Sequence, residues 1–331
     1  MSNIREEAKK LREMWGGFRA SRVLITANNY RVYDLLKDYQ TARSVSEKLK
    51  IDLRATEILL DALTSLGLLK KSGDKYKNLP ISNHLLTKES PYYQGDMIRH
   101  ADYLWRNWSE LDEVIKTGNP VQRARDYETF IRGMHNLATL KAKSVIKSID
   151  LKGIKTALDL GGGPGTYSME MAKMGIKVTL FDYPEAIRIA KKIIEEKNVK
   201  GINFISGDFI IDDIGSDYDL IFASQILHSY SEKDNILVLK KCKDALNNKG
   251  KVVIHEFYIS EDRTRPVWGT LFSVNMLVNT TSGRTYTSKE IRKWLIDIGF
   301  KNIKERLLDD TVLIEGKIFQ TLPTPLKRVT L

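Results

Sequence analysis

Two groups of residues in this sequence have types and spacing suited to chemistry, and both fall between positions 156 and 257. In the first, Ala157, Leu158 and Leu160 flank Asp159, and Gly161, Gly162, Gly163 and Gly165 follow at once. An apolar strand that ends in residues without a Cβ lets the backbone approach a ligand closely. A second strand over 177–181 ends on Asp182, 23 positions after Asp159. In a βαβ unit an acid about 20 residues past the first strand can accept hydrogen bonds from a ribose diol. A glycine turn alone would predict only a tight connection, but loop, helix over 166–174 and second acid together predict a nucleoside-bearing cofactor. The second group is His228 and Glu256, which follow apolar strands over 219–223 and 251–254. An imidazole is a suitable base near neutral pH, and a neighbouring carboxylate holds it and stabilises its protonated form. The plainer alternative for His228 is a strand cap. His84, His100, His135 and His255 lack this setting and read as structural or surface residues.

The elements needed to position these groups form an uninterrupted α/β alternation. Helices are expected over 184–197, 232–247 and 288–298, and a strand over 202–205 leads to Gly207-Asp208-Phe209. Ligands of a doubly wound sheet collect at the carboxyl ends of its strands, so Asp159, Asp182, Asp208, His228 and Glu256 should share one edge. Strands over 300–307 and 311–317 are joined only by Asp309-Asp310 and must be antiparallel, because a parallel pair needs a long crossover. A closing hairpin of this kind is not expected of a dinucleotide-binding dehydrogenase.

Upstream, Met14, Trp15, Phe18, Val23, Leu24, Tyr30, Val32, Tyr33, Leu35 and Leu36 recur at helical spacing, so the helices before position 40 should pack on a partner or a second subunit. Positions 41–80 read as helix (45–49), turn, helix (54–66) and two short strands (68–70 and 75–77), which is a helix-turn-helix with a small wing. In DNA readers the second helix enters the major groove. Here it presents Glu57 and Asp61 beside Arg54 alone, and carboxylates on that face repel phosphate, so dimerisation is the preferred role. From Tyr92 to Phe130 the chain is dense in aromatics, and reads either as a helical connector or as a hydrophobic lid over an organic substrate.

A chain of 331 residues accommodates two domains. No run of 18 apolar residues occurs, and charge begins at Arg5, so neither a membrane span nor a secretory signal is expected. The single Cys242 precludes an internal disulfide and fits a reducing cytoplasm. The net charge of +11 raises the possibility of an anionic partner, but Lys and Glu are interspersed throughout the helices, which fits solvated faces and no nucleic-acid partner.

The order and spacing of DLGGGPG (159–165), FDYPEAI (181–187), GDF (207–209), ILHSYSEKD (226–234), KGKVVIHEF (249–257) and GRTYTSKEI (283–291) resemble the class I S-adenosylmethionine-dependent methyltransferases. Within them the chain is most similar to the small-molecule O-methyltransferases with an N-terminal winged-helix dimerisation domain. The resemblance implies a Rossmann-like methyltransferase sheet with a terminal antiparallel hairpin, preceded by a mainly helical winged-helix domain. It divides the chain into a dimerisation domain (1–95), a connector and lid (96–152) and a cofactor-binding catalytic domain (153–331). It further implies a homodimer with S-adenosylmethionine held by Asp159, Gly161, Gly163 and Gly165 around its methionine portion, and with Ser224 as a further cofactor-binding residue. Asp182 would take the ribose, and Asp208, Phe209 and Tyr183 the adenine. No metal is expected. Met134 and Met276 match methionines that sandwich an aromatic substrate in relatives, and Phe130, Trp268 and Phe272 complete the expected substrate wall.

Four positions depart from the family pattern. Ser229-Tyr230 stands where Asp-Trp is usual, and Thr285 and Ser273 stand where acids are common. His228 with Glu256 remains as a general-base dyad for transfer to a hydroxyl of an aromatic, quinone-like or isoprenoid molecule. A C- or N-methyltransferase working by proximity, and a ligand-sensing DNA-binding regulator, are the alternatives.

Overall fold

The computed structural model describes residues 2–318; the polar tail from Pro323, which the sequence left unassigned, lies outside them. The chain forms two compact units. One runs to Arg106 and takes up Glu128–Leu140, and the other comprises Asn107–Tyr127 and the chain from Lys141 onward.

The first unit opens with α1 (Ser2–Gly16), α2 (Phe18–Asn29) and α3 (Val32–Leu35), followed by β1 (Gln40–Thr41), α4 (Ala42–Leu49), α5 (Leu53–Ser65), β2 (Leu69–Ser72), β3 (Lys75–Asn78) and α6 (Pro80–Leu85). Side-chain caps start the two central helices. Thr41 accepts from Ser44 N at 3.1 Å, and Asp52 from Ala55 N at 2.7 Å. Tyr33, Leu36, Val45, Leu60, Leu63, Leu69 and Tyr76 form the core of this unit. The early apolar residues thus divide: Val32, Tyr33 and Leu36 are buried within the unit itself, whereas Met14, Trp15 and Phe18 are exposed. Asp61 on α5 accepts from Lys71 Nζ and Tyr76 Oη, both at 2.7 Å, which ties the second helix to the β2–β3 hairpin.

Three helices contribute to the aromatic segment: α7 (Gly95–Trp108), α8 (Leu111–Thr117) and α9 (Tyr127–Lys147). Trp105 packs on Phe18 (6.2 Å between centroids) and Phe130 on His100 (5.1 Å), all in the first unit. Trp108 belongs to the second unit, where its Nε1 donates to Asn275 Oδ1 at 2.9 Å.

The second unit contains β4 (Thr156–Leu160), α10 (Thr166–Lys173), β5 (Lys177–Asp182), α11 (Pro184–Glu196), β6 (Ile202–Ser206), β7 (Tyr218–Ser224), α12 (Glu232–Ala245), β8 (Leu246–Phe257), α13 (Val267–Asn279), α14 (Ser288–Ile298), β9 (Lys301–Leu308) and β10 (Thr311–Lys317). The seven-stranded sheet has the order β6-β5-β4-β7-β8-β10-β9. Only β10 breaks the parallel run, pairing antiparallel with both β8 and β9. The sheet and its helices enclose a core that includes Leu158, Phe181, Ile221, Ile254, Trp294 and Phe300. One strand is longer than the sequence suggests. β8 begins at Leu246, directly after α12, because Leu246 pairs with Tyr218 ahead of a register shift that accommodates the polar residues 247–249. Among the described residues no helix is long and apolar enough to cross a membrane.

Candidate active site

Asp159 lies in β4, fully buried. Its Oδ2 accepts from Ser168 Oγ at 2.6 Å, and its Oδ1 has no hydrogen-bond partner. Burial pushes this carboxyl up to about 7. Gly161, Gly163 and Gly165 take positive φ angles of 64°, 52° and 73°, a backbone region open to glycine. The loop could not tolerate side chains uniformly: a Cβ on Gly161 would stand 2.7 Å from Ile226 Cγ2, while the space around Gly163 is open. Gly163 N instead donates to Asp182 Oδ2 at 2.7 Å, and Tyr183 N to Asp182 Oδ1 at 2.7 Å. Asp182 therefore sits at the strand end with both oxygens oriented by backbone donors, and burial raises its pKa against them.

Next along the edge, Asp208 Oδ1 accepts from Ile210 N at 2.9 Å, which shapes the turn after β6. Phe209 is buried and packs edge-on against Tyr230 at 5.2 Å. Tyr230 Oη lies 3.5 Å from Tyr183 Oη. Tyr230 was not among the residues expected from sequence to line the site, where it figured only as a departure from the usual tryptophan. An aromatic at that position was the available signal.

His228 lies in a 3-10 turn, Leu227–Ser229, just past β7, and Glu256 in the neighbouring β8. His228 Nδ1 is 2.7 Å from Glu256 Oε2, and Glu256 Oε1 accepts from Leu227 N at 2.8 Å. One carboxylate thus holds both the imidazole and the backbone that carries it. The Leu227 carbonyl is fixed in turn by Asn235 Nδ2 at 2.9 Å. Gly283 presses on the same turn, since a Cβ there would lie 2.3 Å from the His228 carbonyl oxygen. With Nδ1 facing a carboxylate, the ring carries its proton there and presents Nε2 as the lone-pair nitrogen. Nε2 has no hydrogen-bond partner among the described residues.

The ring is walled by aromatics. Phe272 stands perpendicular to it at 4.8 Å, and Phe257 lies 5.9 Å away, packed on Phe272 at 4.2 Å and on Trp268 at 6.3 Å. Met276 is buried on the same helix, α13. Phe130 and Met134 lie on the part of α9 that belongs to the first unit. The two positions without the usual acids are joined: Thr285 N donates to Ser273 Oγ at 3.2 Å, and Thr285 Oγ1 donates to Gly269 O at 3.1 Å. They fasten α13 to the following loop. Among the described residues no three His, Cys, Asp or Glu side chains are grouped as a metal site requires.

Residues 118–301 match the O-methyltransferase domain model, and residues 13–88 the O-methyltransferase dimerisation domain model. The chain is 32% identical over 278 residues to the 3-hydroxy-5-methyl-1-naphthoate 3-O-methyltransferase of Streptomyces sahachiroi, covering 80% of each chain. It is 31% identical over 319 residues to the acetylserotonin O-methyltransferase of Gallus gallus, covering 88% of this chain and 91% of that one. The fold is similar to the crystal structure of human N-acetylserotonin methyltransferase in complex with SAM, with a TM-score of 0.87, 25% identity, and coverage of 95% of this chain and 98% of that one. A domain match over more than half of the chain, together with these relatives, shows that the protein belongs to the O-methyltransferase family and is a methyltransferase.

Proposed function

We propose that this enzyme transfers a methyl group from S-adenosylmethionine to a hydroxyl of a small, largely apolar molecule of aromatic, quinone-like or isoprenoid character, with His228 as the general base. The observation that carries this reading is the 2.7 Å contact between His228 Nδ1 and Glu256 Oε2, which leaves Nε2 as a free proton acceptor. The aromatic wall of Phe257, Phe272 and Trp268 beside the imidazole favours an apolar acceptor. A hydroxylated aromatic acid is the acceptor in the name of the Streptomyces relative, which agrees with that chemistry.

The residues present fit the cofactor. A fully buried Asp159 with an unpartnered Oδ1 calls for a donor, and the open space at Gly163 lies beside Asp182, the carboxylate suited to ribose hydroxyls. Gly161, Gly165 and Ser224 complete the amino-acid end, and Asp208, Phe209 and Tyr183 frame the adenine. When bound, S-adenosylmethionine supplies an electrophilic methyl on a sulfonium, open to in-line displacement by an aligned nucleophile. His228 Nε2 takes the proton from the acceptor hydroxyl, and Glu256 stabilises the imidazolium that results. The aromatic side chains exclude water, and Met276 on α13 offers a soft thioether contact to a substrate ring.

The exposed Met14, Trp15 and Phe18 of the dimerisation domain are the surface for a second copy of the chain, and a cytoplasmic setting suits the buried free Cys242. Calorimetry with S-adenosylmethionine and with NAD tests the cofactor; binding of NAD alone overturns it. NMR of the product formed with an isotope-labelled methyl donor tests the acceptor atom, and a methyl on carbon or nitrogen overturns the hydroxyl assignment.

A further inference from the structure

One face of the central sheet carries polar side chains that the His228–Glu256 pair does not use. Residues paired across strands face the same side, and sides alternate along each strand. Asp159 pairs with Phe222, Ser224 pairs with His255, and Thr311 pairs with Phe257, so Asp159, Ser224, His255 and Thr311 share one face. Tyr167 of α10 covers them, edge-on to Phe222 at 5.2 Å and to His255 at 5.9 Å. Asp159 and His255 are fully buried.

The positions of the hydrogens follow by elimination. Thr311 Oγ1 donates its one hydrogen to Leu308 O at 2.8 Å, so it can only accept from His255 Nε2, 3.1 Å away. Nε2 therefore carries the ring proton. Burial pushes the His255 pKa down to about 3, so the ring holds no second proton and Nδ1 is an acceptor. Ser224 Oγ, 2.9 Å from Nδ1, gives its hydrogen to it. The Ser224 oxygen is left with two lone pairs, one within reach of the buried Tyr167 hydroxyl, which has no other partner, and one for a further donor. It stands half-buried at the carboxyl end of β7, beside the strand that carries Asp159, whose Oδ1 is buried without a partner.

We propose that His255 is a positioning residue for the amino-acid end of the cofactor: by taking the Ser224 hydrogen it makes the Ser224 oxygen an obligate acceptor, which together with Asp159 Oδ1 selects the α-ammonium group. This rests on reading the glycine loop as the S-adenosylmethionine site. A leucine at position 255 would free the Ser224 hydroxyl to turn and present its hydrogen to a cation, a mismatch that a ligand without the ammonium would not meet.

The test is calorimetric binding of S-adenosylhomocysteine and of its analogue lacking the α-amine to wild type, Ser224→Ala, His255→Leu and the double variant, with near-UV circular dichroism as a fold control. Loss of one charge-assisted hydrogen bond weakens S-adenosylhomocysteine about tenfold in each single variant. The analogue should bind all four proteins equally, and the double variant should be no weaker than Ser224→Ala, because His255 acts through Ser224. Equal losses for both ligands, or no loss for S-adenosylhomocysteine, overturn the proposal. If His255→Leu does not fold, His255→Phe, which keeps a planar ring without an acceptor nitrogen, takes its place in the same comparison. A wild type that binds neither ligand defeats the cofactor-site reading itself, which is a distinct result.

Discussion

Glu256 joins His228 twice over: Oε2 lies 2.7 Å from the imidazole Nδ1, and Oε1 holds the Leu227 N–H of the turn on which the histidine sits. Orientation of the ring and position of its backbone thus depend on one side chain at the end of β8. Glu256→Gln keeps an oxygen for Leu227 N but puts an amide donor against Nδ1, which favours the tautomer with Nε2 protonated. Turnover should fall by about 10³ or more, as expected when a base is held in its wrong tautomer. Calorimetry on the same variant should find S-adenosylmethionine binding unchanged.

Asp159 and His255 give the ligand-free protein opposite pH dependences. The folded-state pKa of Asp159 is raised to about 7 from an ordinary carboxyl value, so its contribution is fully present below about pH 4 and is lost as pH rises through 7. The pKa of His255 is depressed to about 3, so its neutral, bonded form contributes above about pH 6.5 and that contribution is lost as pH falls toward 3. Asp159→Asn should therefore flatten the decline in Tm between pH 5 and 8 relative to wild type. Thermal melts across that range check this, and an unaltered pH profile would show that Asp159 is not desolvated.

Thr285 is only 1% exposed and donates to Gly269 O. A carboxylate cannot donate that bond, so Thr285→Glu, which restores the more usual acid, should lower stability by about 2 kcal/mol or more. Denaturant unfolding measures it. A neutral outcome would mean that the site has room and solvent for a charge.

Met14 and Trp15 are 78% and 56% exposed on α1. Replacing both with Glu should shift the protein to monomer in analytical ultracentrifugation, with the secondary structure of the N-terminal unit retained, because its core of Tyr33, Leu36, Val45 and Leu60 is separate.

Much of this architecture was legible in the sequence because its signals are local. The glycine run, the apolar strands and the two-residue link at Asp309-Asp310 each dictate backbone geometry within a few positions, and the antiparallel β9–β10 hairpin follows from that link, whereas the pairing of β10 with β8 does not. The proximity of His228 and Glu256 was readable from strand order, since both follow neighbouring strands. What was not legible depends on register and tautomer. His255 had no motif to distinguish it, yet its pairing with Ser224 sets it between two hydroxyls. Tyr230 entered the site through its ring contacts with Phe209 and its approach to Tyr183, which no periodicity encodes. The early helices could be read as apolar, but not divided into residues that fill their own core and residues that remain exposed.

Hydroxyl methylation with His228 as base is checked by single-turnover rates of wild type and His228→Ala, with S-adenosylmethionine and the acceptors named for the relatives, a hydroxynaphthoate and N-acetylserotonin. Wild type should form the methyl ether, and the variant should lose about 10² to 10⁴ in rate at unchanged cofactor affinity. An undiminished rate in His228→Ala would contradict the role of His228 as base.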